Sequence, residues 1–287
     1  MSASEYESNV GILRRFNPEK YKLTVMNCCR KPGFEADKPH FTAKGEAGND
    51  NKLETSLSRT KRTIAEITEC NTWSLFCTFT LDKQKYNRTD LKKFRKDFSQ
   101  FIRDYRKKSS CDVKYILIPE RHKDGCWHMH GLIQNLPVEK LTEFKSSDRL
   151  PKKILNRISQ GKRVFTWQPY ADKFGFADIE LIENQEASAR YITKYVTKDT
   201  FDTARELNEH LFYASKGLKR AEVIKRGTVA KAIEKPDFTN DFATIKQFRK
   251  AEDAFPYFLD TCGEFDDLDI CRFAGQTAEI TKEVVLC

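Results

Sequence analysis

The residues with the clearest capacity for chemistry are His128 and His130, in Trp127-His128-Met129-His130-Gly131-Leu132-Ile133. Successive side chains on a β-strand alternate faces, so the two imidazoles stand side by side while Met129 enters the opposite layer. Such a pair is half a metal site, and one carboxylate beside it would make three ligands with positions left open for substrate. Further along, Tyr191-Ile192-Thr193-Lys194-Tyr195-Val196-Thr197-Lys198 supplies possible nucleophiles. At about 100° per residue, with Tyr191 as origin, Tyr195 falls at about 40°, Lys198 at about −20° and Lys194 at about −60°. Ala189, Ile192 and Val196 lie on another side as a buried stripe. A phenol titrates near ~10, so ammonium groups close to it favour the nucleophilic phenolate. Tyr191, Tyr195, Lys194 and Lys198 are therefore the candidate catalytic residues.

The elements that must position these groups can be read around them. The run at 113–120 and the run at 127–133 are β-rich and meet across Lys123-Asp124-Gly125, a hairpin signal. A two-residue turn would set Arg121 opposite His128 and put Glu120 on the wrong face. A three-residue loop puts Glu120 on the face of His128 and His130, and this register is expected because it gives the imidazoles their carboxylate. The metal set is then His128, His130 and Glu120. Alternation over 73–81 predicts another strand, and 56–70, with Leu57, Ile64 and Ile67, predicts a basic helix. Thr89 or Asn87 can cap a long helix with Leu91, Phe94, Phe98, Phe101, Ile102 and Tyr105 on one face and bases on the other. Helical segments are expected at 138–144 and 151–158, strands at 163–168 and 176–182, and a helix capped by Asn184 over 185–198. This order implies an α+β fold, an antiparallel sheet with helices packed mainly on one face.

Charge is unevenly spread along the 287 residues, whose net charge is +9. Residues 251–287 hold nine acids and two bases, a net −7, so the rest carries 49 bases against 33 acids, a net +16. A basic body with an acidic end fits a nucleic-acid partner, and a solvated surface made basic for solubility is the plain alternative. The nine cysteines form no C-x-x-C pattern. With no signal peptide at Met1-Ser2-Ala3-Ser4-Glu5 and no apolar run of membrane-spanning length, reduced thiols in a cytosol and no membrane partner are expected. Cys126 is a poor ligand candidate because Trp127 separates it from His128. No G-x-x-x-x-G-K-[ST] occurs, so a P-loop helicase is not encoded in this sequence.

Taken together, His128-Met129-His130 followed by Tyr191 through Lys198 resembles the HUH superfamily of rolling-circle replication initiators, in the two-tyrosine arrangement of single-stranded DNA phages and related plasmids. Phe76-Cys77-Thr78-Phe79-Thr80-Leu81-Asp82 is similar to that family's first motif, and Phe212-Tyr213-Ala214-Ser215-Lys216-Gly217-Leu218-Lys219-Arg220 to a segment of its bacterial members. The resemblance covers about residues 56–225. It implies an RRM-like HUH endonuclease core built on an antiparallel sheet of about five strands. It also implies nicking of single-stranded origin DNA through a 5′-phosphotyrosine, with Mg2+ or Mn2+ as the ion, a free 3′-OH as primer, and rejoining of strands. The expected partners are origin DNA, a host helicase and a DNA polymerase, in a bacterial cytoplasm. The expected organisation is a variable N-terminal segment with a linker (1–54), the endonuclease domain (55–225), a basic extension (226–250) and an acidic tail (251–287). A two-tyrosine transposase or a relaxase would use the same chemistry, although relaxases usually place the tyrosine before the histidines. A non-catalytic DNA-binding regulator would need only the basic body.

Overall fold

The computed structural model describes residues 6–31, 50–196 and 210–259. In chain order, a first group of strands comprises β1 (Tyr6–Glu7), β2 (Val10–Asn17), β3 (Lys20–Met26) and β4 (Cys29–Arg30). Next come α1 (Asp50–Cys70), β5 (Leu75–Leu81), α2 (Leu91–Ser109), β6 (Lys114–Arg121) and β7 (Trp127–Gln134). These are followed by β8 (Thr142–Glu143), α3 (Lys152–Ser159), β9 (Val164–Thr166), α4 (Gln168–Lys173), β10 (Gly175–Leu181) and α5 (Gln185–Ile192). The last elements are β11 (Tyr213–Ala214), β12 (Glu222–Thr228), β13 (Phe238–Thr239) and β14 (Ala243–Phe248).

Two compact units result, one formed by residues 47–218 and the other by 1–46 together with 219–287. In the first, seven antiparallel strands lie in the order β11-β6-β7-β5-β10-β9-β8, with only two residues in each outermost strand. The α+β class and antiparallel sheet are as expected. Helices, however, cover both faces instead of mainly one. Leu75, Cys77, Phe79 and Leu81 of β5 alternate onto a face shared with Leu91, Phe94, Phe98, Phe101 and Ile102 of α2 and Tyr170 of α4. Ile116, Ile118 and Leu132 face the other way, where Ile64 and Ile67 of α1 and Ile192 of α5 close a second, smaller core. The cause is that β6 and β7 are apolar on both faces, which two helical layers must cover. Each fully buried Phe or Leu in these layers is worth about 1.5–3 kcal/mol relative to exposure.

The stripe of α2 is as its spacing predicts, but its cap is Asp90, whose carboxylate accepts from the Lys93 amide at 2.9 Å. Asn87 instead accepts from the amide and hydroxyl of Thr89, closing the preceding turn. The helix expected at 138–144 is a short 3-10 turn, Val138–Lys140, followed by β8. The strand expected at 163–168 stops at Thr166, where Trp167 and Pro169 open α4.

The second unit holds a five-stranded antiparallel sheet, β12-β2-β3-β14-β13, over a core of Leu13, Leu23, Val25, Val229, Ala254 and Phe258. The expected N-terminal segment and the expected basic extension thus pair with each other, β2 with β12 and β3 with β14. Residues 1–54 and 226–250 are not separate appendages, because each supplies strands that the other must hydrogen-bond. Of the expected acidic tail, 251–259 closes this core, while the remainder lies outside the described residues. No helix among the described residues is long and apolar enough to cross a membrane.

Candidate active site

The hairpin β6–β7 fixes the position of the histidines. His122 N–H donates to Cys126 O, Gly125 N–H to His122 O, and Gly125 takes φ +79°, leaving Lys123, Asp124 and Gly125 as the loop. The register is Arg121 opposite Trp127 and Glu120 opposite His128, the arrangement that brings the carboxylate onto the histidine face. On β5, Thr80 stands across from His128 and Thr78 across from His130. Beyond β5, Phe176 and Asp178 of β10 stand across from Thr80 and Thr78. One face of the sheet thus carries two rows, Glu120-His128-Thr80-Phe176 and Ile118-His130-Thr78-Asp178.

These rows form the floor of a cleft of about 1530 Å³ whose lining includes Phe76, Glu120, His122, His128, His130, Lys153, Arg157, Phe176, Tyr191 and Tyr195. His130 Nε2 meets Glu120 Oε2 at 2.7 Å. The Nδ1 atoms of both histidines are engaged too, His128 Nδ1 with Thr80 Oγ1 at 2.9 Å and His130 Nδ1 with Thr78 Oγ1 at 3.2 Å. The His122 ring stacks on His128, with centroids 3.8 Å apart and planes within 16°. Burial holds His128 neutral, its pKa lowered to about 4, with the fields of His122 and His130 acting in the same direction. Burial also lowers His130, against the opposing hydrogen bond from Glu120. Neutral imidazoles are what metal ligation requires.

The donor chemistry fits a divalent ion in part. Adjacent ligand atoms of an octahedral ion bound at about 2.0–2.1 Å lie about 3 Å apart, close to the His130–Glu120 separation. Among the described residues no group of three His, Cys, Asp or Glu side chains is arranged as a formed metal site. Glu120 and His130 converge, and His128 stands alongside on the neighbouring ring position. His122 and His128 cannot both ligate one ion in their stacked pose, because a ligated ion lies in the imidazole plane and these planes are parallel.

The tyrosines reach the same place from α5. Asn184 caps this helix by accepting from the Ala187 amide at 2.9 Å, as expected. The helix does not run on to residue 198: after Ile192 the chain tightens into a 3-10 turn, Thr193–Tyr195. Ala189, Ile192 and Val196 are buried as the expected stripe. The tightening turns Tyr195 inward, so it is partly buried against Ile192 and its neighbours and is used for packing after all. Its ring lies on His130, with centroids 3.8 Å apart and planes within 8°. Tyr191 is 44% exposed, rests edge-on against Phe76 and accepts the Tyr195 hydroxyl at 3.1 Å. Lys194 Nζ lies 5.2 Å from the centre of the Tyr191 ring. Lys198 is outside the described residues. Burial, the Tyr191 hydrogen bond and the field of Glu120 push the Tyr195 phenol well above its ordinary value, so in this arrangement it holds its proton firmly.

Sequence reasoning missed four groups at the site. Thr78 and Thr80 had a signal, since Thr-Phe-Thr on a strand shares the period of His-Met-His. His122 had none beyond its place at the hairpin. The cluster of Arg157 with Asp178 and Glu180 joins α3 to β10 and needed the fold to be seen.

Residues 74–200 match the family model for replication-associated proteins of the ORF2 type. No curated protein and no solved structure matches the chain. The matched segment runs from the start of β5 through both tyrosines, and so contains the histidines, threonines and tyrosines that line the cleft. This likeness to a replication-associated family is consistent with a replication initiator acting on DNA.

Proposed function

We propose that the chain is a metal-dependent endonuclease and strand transferase of the two-tyrosine HUH type that initiates rolling-circle replication at an origin exposed as single-stranded DNA. The observation that carries this reading is the meeting of two motifs distant in sequence. Tyr195 stacks on His130, and its hydroxyl lies 3.1 Å from that of Tyr191. His128, His130 and Glu120 would hold Mg2+ or Mn2+, which when bound would supply Lewis-acid polarisation of the scissile phosphate. The tyrosine Oη forms the bond to phosphorus and the bond to the 3′ oxygen breaks. The phenolic proton is balanced by the proton taken up at the leaving 3′-OH. Reversal of the same step by an incoming 3′-OH rejoins a strand. Two tyrosines within hydrogen-bonding distance let one act while the other is esterified. A nucleobase next to the scissile phosphate would stack on Phe176, whose ring is backed by Phe144 at 5.5 Å with planes within 9°. Phe176 is two strand spacings from His128, about 10 Å. Duplex opening would fall to a host helicase and extension of the 3′-OH to a DNA polymerase, in a bacterial cytoplasm.

The test is a short single-stranded origin oligonucleotide incubated with the full chain and Mn2+ or Mg2+. A covalent adduct that needs the ion and disappears in the Tyr191→Phe, Tyr195→Phe double variant supports the proposal. Absence of any adduct with either ion on the cognate strand overturns it.

A further inference from the structure

The threonines of β5 offer the histidines something that most ligand-orienting partners do not. The second nitrogen of a ligating histidine is usually held by a carboxylate or a backbone carbonyl, both of which only accept a hydrogen bond and therefore fix one tautomer. Here both imidazoles are held by hydroxyls, Thr80 on His128 at 2.9 Å and Thr78 on His130 at 3.2 Å. A hydroxyl donates or accepts according to the rotation of one hydrogen, and the β-branched threonine keeps its oxygen in place meanwhile.

That freedom matters most at His130. Its Nε2 meets the Glu120 carboxylate at 2.7 Å, a contact that needs a proton on Nε2, so Nδ1 of the neutral ring accepts from the Thr78 hydroxyl. A divalent ion takes an unprotonated Nε2, which requires the ring proton on Nδ1 and a Thr78 oxygen that accepts it. The register of β5 on β7 keeps both oxygens directly across from their rings, so neither ring has to turn between the two arrangements.

We infer that Thr78 and Thr80 are positioning residues that aim Nε2 of His130 and His128 into the cleft and let each ring exchange tautomer as an ion is taken up. This rests on the proposed metal site, and the experiment below separates the two claims. Thr78→Val and Thr80→Val remove the hydroxyl at nearly constant shape and suit a strand, and the corresponding Ser variants restore it. Two measurements on the full chain are made: the 15N shifts of the histidine rings without added metal, and the affinity for Mn2+ alone. In the wild type, His130 should show its proton on Nε2. In Thr78→Val the ring should lose that single tautomer, and Mn2+ affinity should fall by about 10- to 100-fold, both recovering in Thr78→Ser. Thr80→Val should reproduce the loss of Mn2+ affinity through His128. Unchanged ring shifts and Mn2+ affinity in folded Val variants would overturn the inference. A wild-type chain that binds no Mn2+ would sink the metal reading, and the ring shifts would still decide whether the hydroxyls set the tautomers. Should a Val variant unfold, Ala and Ser at the same position give the same comparison.

Discussion

Replacing Arg157 by Met tests how the wall of the cleft is held. The guanidinium donates from Nη2 to Asp178 at 2.5 Å and from Nη1 to Glu180, and these three side chains are only 18–23% exposed. Burial already raises the Asp178 carboxyl, and Arg157 is the main influence pulling it back down. Removing one partner from a buried ion pair costs about 3–5 kcal/mol, because the remaining charge keeps its desolvation penalty. With about a fifth of each group in contact with solvent, we expect the low end, about 3 kcal/mol. A unit of this size loses roughly 2–4 °C in Tm per kcal/mol, so Arg157→Met should melt about 6–12 °C below wild type near neutral pH. The sign of the pH dependence follows from the carboxyls. With the cation gone, their folded pKa values rise above the unfolded values, so the penalty is full at neutral pH. It fades as the pH falls toward the ordinary carboxylate range near ~4, where both groups become neutral. Thermal unfolding at pH 7 and pH 4.5, with the triple variant Arg157→Met, Asp178→Asn, Glu180→Gln as control, measures this. The triple variant should recover most of the loss at pH 7. A loss below about 1 kcal/mol at pH 7, or one equal at the two pH values, would refute the reasoning.

Two further outcomes follow from the packing of the sheet. Gly131 sits between β6 and β5, and a Cβ there would lie 2.2 Å from Leu117 Cδ2 and 2.4 Å from Ile116 O. Gly131→Ala should therefore cost at least about 3 kcal/mol, the upper end for overpacking, read as a lower midpoint in urea. In Phe176→Ala, loss of the stacking surface should weaken single-stranded DNA binding by about 1–3 kcal/mol, roughly 5- to 150-fold, with no change in Tm beyond that of Phe144→Ala. Fluorescence anisotropy of labelled oligonucleotides checks it.

Most of the site was legible where the signal is local. His128 and His130 share a face because a strand has period two, and Glu120 joins them because the loop at Lys123-Asp124-Gly125 sets the register. The aromatic stripe of α2 and the Asn184 cap of α5 were equally plain. What escaped depends on contacts between distant segments. Strands β2 and β3 find their partners in β12 and β14, at the far end of the sequence, and no local pattern records that pairing. The turn of Tyr195 toward His130 depends on the helix tightening after Ile192, and α5 carries no Gly or Pro there to announce it. Helices on both faces follow from β6 and β7 being apolar throughout, which period-two reasoning centred on the histidines overlooked.

The central claim is that the cleft exists to join a tyrosine oxygen to a DNA phosphate. Digesting the chain after reaction with a single-stranded origin oligonucleotide and Mn2+, and sequencing the nucleotide-bearing peptide by mass spectrometry, tests it directly. The account predicts a nucleotide attached through a 5′-phosphate to Tyr191 or Tyr195, with each Phe variant shifting the attachment to the other tyrosine. Attachment at any other residue, or efficient cleavage of the cognate strand that leaves no nucleotide on the protein, would contradict it.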